Sequence, residues 1–153
     1  WKFALGAILS LVHDAIIVMG VLSFFQVTFD LTVLAAVLAV VGYSLNDTIV
    51  IFDRVRENFR VLRKADLVEN LNISTSQTLL RTIATSVSTL LAIAALLFFG
   101  GDNLFGFSIA LFVGVMAGTY SSIYIANVVL IWLNLTSEDL IPPQAKDTVD
   151  DRP

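Results

Sequence analysis

Of 153 residues, 57% are apolar and 14% charged, against a soluble norm of roughly 45–50% and about 25%. This excludes an ordinary water-soluble domain, because so few charged side chains cannot cover the surface left by a single core of this length. The net charge of −4 argues against basic-patch nucleic-acid binding, and the lack of cysteine removes disulfide frameworks, thiol catalysis and thiolate metal sites, while one histidine removes any site that needs two.

The chain opens on Trp1 and runs at once into apolar sequence, which leads us to expect a piece of a longer protein. Residues 3–25 have the length of a membrane helix and carry His13 and Asp14 in their middle, so they are not a signal peptide. A short turn at 26–30 leads to a second span at 31–52. Residues 53–78 differ in character: Arg54, Arg56, Arg60, Arg63 and Lys64 alternate with Val55, Phe59 and Leu62. That pattern predicts a basic helical segment that continues the second span beyond the membrane and then lies along its surface. Ser74 and Gln77 have capping-box spacing and predict a helix start. A third span is expected at 79–99, a Gly100-Gly101-Asp102-Asn103 turn after it, and a fourth span at 104–133 that is too long to cross untilted and must tilt, kink or emerge. Residues 136–153 are polar and contain Pro142-Pro143, so we expect a disordered tail. The fold class is therefore an all-α, polytopic membrane bundle of four helices. None of the nine Lys and Arg residues lies in the two short turns, which carry only Asp30 and Asp102. The positive-inside rule thus places both ends and the basic segment in the cytoplasm.

Ionisable residues inside spans are costly and mark function by default. Asp47 belongs to a polar patch, 42–48, in an otherwise Leu/Val/Ile helix; Tyr43, Asp47 and Ile51 share one face, and Ser44 and Thr48 a neighbouring one. A carboxyl in so apolar a setting can rest neutral and release its proton when a cation approaches, as a proton carrier does. Alternatively, Asp47 and Asn46 hydrogen-bond neighbouring helices as packing contacts. Arg81 cannot lose its proton, so it is either a fixed charge that tunes a carboxylate or a side chain that snorkels to lipid phosphate. His13 and Asp14 point about 100° apart on a helix, a poor dyad; each is a candidate for a proton path or for a buried polar contact with a different neighbour. An aspartyl-protease pair of Asp14 with Asp47 is disfavoured by their unequal depth and their sequence context. Gly114 and Gly118 have the small-xxx-small spacing that brings helices close. The arginines from Arg54 to Arg63 are expected to set topology and meet anionic lipid.

Residues 42–58, Gly-Tyr-Ser-Leu-Asn-Asp-Thr-Ile-Val-Ile-Phe-Asp-Arg-Val-Arg-Glu-Asn, closely resemble the SecF branch of the bacterial SecD/SecF family. So do His13-Asp14, the run 77–82, Phe99-Gly100-Gly101 and the run 118–124. SecD-type members carry Asp-Ala-Asn and Glu-Arg where this chain has Asn46-Asp47-Thr48 and Asp53-Arg54. The resemblance, which covers 1 to about 133, implies helices three to six of a six-helix subunit without its first two helices and its periplasmic domain. It implies kinship with the resistance-nodulation-division (RND) exporters and residence in the bacterial inner membrane. As partners it implies SecD, the SecYEG channel, further YajC and YidC, preprotein substrate and membrane lipid. It also implies no enzymatic reaction, no cofactor and no metal, with use of the proton-motive force for export. Asp47 and Arg81 match the family's aspartate and arginine implicated in proton passage. A scaffold subunit with no proton pathway of its own, or part of an RND-type exporter of small molecules or lipids, is the alternative.

Overall fold

A computed structural model describes residues 1–62 and 66–136. Five helices follow one another: α1 (Lys2–Phe24), α2 (Leu31–Val61), α3 (Leu67–Phe99), α4 (Asp102–Ile123) and α5 (Ile125–Trp132). The last two form one interrupted span, so four helical stretches are long and apolar enough to cross a membrane. The basic residues Arg63 and Lys64, and the tail from 137 onward with Lys146 and Arg152, lie outside the described residues.

Local chemistry sets the helix ends. Gln26, at φ 52°, turns the chain after α1. Asp30 then caps α2, accepting from the Val33 amide at 2.8 Å and from the Thr32 hydroxyl at 2.6 Å. These two donors, the Thr32 hydroxyl first, hold the exposed Asp30 carboxyl below the usual carboxylate range. Between α3 and α4, Gly101 takes φ 73°, a conformation that residues with a Cβ rarely adopt.

The second span continues as a helix past its apolar stretch, as the sequence predicts: α2 runs unbroken through 31 residues to Val61, about 46 Å and so longer than the roughly 30 Å hydrocarbon layer. One expectation for residues 53–78 is corrected: no helix starts at Ser74, because α3 already begins at Leu67 behind Asp66 and contains no Gly or Pro to interrupt it. The Ser74 hydroxyl serves inside the helix instead. It donates to Asn70 Oδ1 at 3.0 Å and accepts from Asn58 Nδ2 of α2 at 2.8 Å, while Asn58 also donates to Gln77 Oε1 at 3.0 Å. Residues 53–61 and 67–78 thus form the paired ends of α2 and α3.

α2 and α4 make the most extensive helix pair, and α1 and α3 flank it. Small side chains pack the middle of the bundle and many large ones line its outside: Ser10, Ser44, Ser86, Ala110, Gly114, Gly118 and Ser121 are buried, whereas Leu80, Leu91, Phe98 and Phe99 are exposed. Such an arrangement is stable in lipid, where close backbone approach replaces the hydrophobic drive between helices. Gly114 shows how close that approach is, since a Cβ there would collide with the Val40 side chain.

The long fourth span is interrupted at Tyr124. Just before it, Thr119, Ser121 and Ser122 hydroxyls donate back to the carbonyls of Val115, Gly118 and Thr119, a pattern that bends helices. Asn127 Nδ2 then donates to the Ile123 carbonyl at 2.7 Å and to Thr75 of α3 at 2.9 Å, tying the break to its neighbour.

Candidate functional site

Two apolar clusters occupy the ends of the bundle. Val18, Leu22, Val33, Ala36, Val40 and Ala110 form one, and Phe3, Ile51, Phe52, Val55, Ala126 and Leu130 belong to the other. By position along each helix, the polar residues fall between them: Ser10 and Asp14 on α1, Ser44, Asp47 and Thr48 on α2, Ser86 on α3, and Gly118 and Ser121 on α4. This polar layer is the site.

Asp47 is 5% exposed, and its Oδ2 has no hydrogen-bond partner. Arg81 lies exposed on α3, and its charge acts on the Asp47 carboxyl without a direct ion pair. The carboxyl is therefore buried with an unpartnered oxygen, with a cation on the neighbouring helix. Arg81 also lines a cleft of about 610 Å³ at one end of the bundle, with Thr78 and Gln77 of α3, Leu45 and Asp53 of α2, and Ala7 of α1. Asp47 itself does not line it.

Asp14 is 1% exposed. Its Oδ2 accepts from the Ser44 hydroxyl at 2.5 Å, and its Oδ1 lies 3.2 Å from His13 Nδ1. Each thus meets a different neighbour as expected, Ser44 for Asp14 and, at 6.5 Å between ring centroids, Tyr120 for His13; beyond that expectation, the imidazole also folds back onto the adjacent carboxyl. Thr48 is buried and Asn46 is exposed, with no hydrogen bond from the Asn46 side chain among the described residues. Among those residues no three His, Asp or Glu side chains gather as a metal site.

Several interhelical contacts were missed from the sequence. Ser10 donates to Ser121 at 3.0 Å, and the Ser86 and Thr119 hydroxyls are 2.7 Å apart, with the Tyr43 hydroxyl 3.5 Å from Ser86. A signal for the α3 members was present: Asn70, Ser74, Thr78, Thr82 and Ser86 recur every four residues and are all buried. A stripe of that period marks the packed face of a helix.

The fold is thus a four-span helical bundle with two aspartates, Asp14 and Asp47, buried in its middle layer. Residues 1–136 match the family model described as protein export membrane protein SecD/SecF, C-terminal. The chain belongs to this family and is a multi-pass membrane protein. It is 51% identical over 153 residues to the protein translocase subunit SecF of Haemophilus influenzae, and 44% identical over 153 residues to that of Escherichia coli O157:H7. In both cases it spans all of this chain but 47% of the relative, so the chain covers about half the length of the curated relatives it matches. The crystal structure of SecDF, a translocon-associated membrane protein from Thermus thermophilus, superposes with a TM-score of 0.84 at 47% identity, over 88% of this chain and 19% of that one. SecDF in its super-membrane-facing form gives a TM-score of 0.83 at 48% identity, over 88% and 18%.

Proposed function

We propose that the chain is the membrane part of a SecF-like accessory subunit of the Sec protein translocase, which with SecD uses the proton-motive force to drive preprotein export through SecYEG. The observation that carries this reading is the buried Asp47 carboxyl, with one oxygen unpartnered and the charge of Arg81 acting on it. In the proposed cycle Asp47 takes a proton arriving from the periplasm and passes it toward the cytoplasm. Loss of the proton leaves an anion that attracts Arg81, drawing α2 and α3 together; uptake relaxes them. Alternation between two helix packings is the element that proton flow biases. In this reading the protein sits in the inner membrane with the paired ends of α2 and α3, and both chain ends, in the cytoplasm. YajC and YidC belong to the same proposed assembly, and the tail beyond 136 is a cytoplasmic extension.

The test is Asp47→Asn in the full-length parent, which keeps shape and removes titration. Proton-motive-force-dependent export from membrane vesicles is expected to fall at least tenfold, the scale on which loss of a proton-transfer group acts, while SecD still co-purifies. Export at the parental level with intact assembly would make Asp47 a packing residue and the bundle a scaffold.

A further inference from the structure

The proton cycle uses Asp47 and Arg81 and leaves a second buried carboxyl without a role. Asp14 lies where three helices meet. On α1 its neighbour is His13; α2 presents Ser44, with Asp47 one turn further on; α4 presents Gly118, with Tyr120 against the His13 ring. Both Asp14 oxygens are engaged, in contrast to Asp47. A Cβ on Gly118 would come 3.1 Å from Ser44 Cβ, 3.3 Å from Ser44 Oγ and 3.6 Å from Asp14 Oδ2, so the bare backbone of α4 closes over the Ser44–Asp14 bond. Below Asp47, α2 is held a second time, by Asn58 bonded to Ser74 and Gln77 of α3. Asp47 therefore sits on a helix whose rotation is fixed on either side, toward α1 at Ser44 and toward α3 at Asn58.

We propose that Asp14 is a positioning residue for Asp47: by holding the Ser44 hydroxyl it sets the rotation of α2 against α1 and α4, and so the direction in which the Asp47 carboxyl is presented. Ser44 and Asp47, three residues apart, lie on neighbouring parts of one helix surface, so a turn of α2 that moves one moves the other. The proposal rests on the reading of Asp47 as a proton carrier.

The experiment uses the full-length parent with its partners in membrane vesicles, at a fixed imposed proton-motive force, and records export against pH for Ser44→Ala, Asp14→Asn and the double variant. Each single change is expected to displace the midpoint of the profile by about half a pH unit, the size of a typical interhelical hydrogen bond in a membrane. The double variant is expected to shift no further than the larger single, because both act through one bond. Gly118→Ala, which alters neither bonded group but pushes on Ser44, is expected to move the midpoint in the same sense as Ser44→Ala, and it keeps the test decisive if a variant of the pair fails to assemble. A lower rate with the midpoint unmoved, or single shifts that add, overturns the proposal and leaves Asp14 a packing contact. Asp47→Asn in the same assay separates the two ideas. If it abolishes export while the other midpoints stay at the parental value, positioning alone fails; if it leaves export untouched, the carrier reading falls and positioning with it.

Discussion

Asp30 is exposed, yet it decides where α2 begins. Its carboxylate takes both the Thr32 hydroxyl and the Val33 amide, so the ionised form is favoured in the folded protein. The contribution of the cap is therefore fully present above the ordinary carboxylate value of 3.8 and is lost as pH falls through the lower native value. Asp30→Ala is expected to fray the first turn of α2, raising amide exchange at Val33 and Leu34 at neutral pH. The parent should approach the same exchange rates only in acid, below the ordinary carboxylate range; equal exchange in both proteins at neutral pH would rule the cap out. At this scale the sequence was readable where a residue violates its surroundings. Asp47 and Arg81 stand out because membrane helices rarely carry charges. The Ser44–Asp14 bond could not be read, since serine is ordinary in such helices and only the packing of α1 against α2 makes it a partner.

Between elements, the controlling quantity is the distance between helix backbones. Gly114 leaves no room for a methyl group beside Val40. Gly114→Ala is expected to destabilise the bundle by about 1–3 kcal/mol, the usual cost of overpacking, measured as loss of thermal stability in detergent. Adding Val40→Ala should recover much of that loss, because it removes the atoms the methyl group strikes. Failure of the second change to rescue would place the strain elsewhere on α4. The four spans could be read from hydropathy, and the small-residue spacing of Gly114 and Gly118 pointed to close packing. The extent of α2 and α3 was harder to read, because polar sequence near a membrane edge looks alike whether the helix stops, bends or continues. What settles it is a long-range contact, Asn58 on α2 with Ser74 and Gln77 on α3, 16 and 19 residues away. The break at Tyr124 was foreseeable only as excess length. Hydroxyls at 119, 121 and 122 bond backward just before it, but the same bonds at 78, 85, 88 and 89 leave α3 unbroken, so they do not by themselves fix its position.

For the molecule as a whole, large apolar side chains cover the outside, and polar or small ones fill the middle layer. The proposed orientation has a direct check, helped by a chain that contains no cysteine of its own. In the full-length parent, stripped of any other cysteines, Asn103→Cys is expected to react with a membrane-impermeant thiol reagent added to the periplasmic side. Arg60→Cys should react only after the membrane is opened. The reverse pattern would invert the topology and with it the direction assigned to proton flow. α2 and α3 cross the bundle without a Gly or Pro break beyond Gly42, whereas the fourth span is divided at Tyr124. Mechanically this makes α2 and α3 long levers. Val61 lies roughly 21 Å along the axis from Asp47 at about 1.5 Å per residue, so a tilt of about 5° at the carboxyl would swing the far tip of the lever by about 2 Å. A small change of packing at the carboxyl is thus enlarged at the far ends of these two helices.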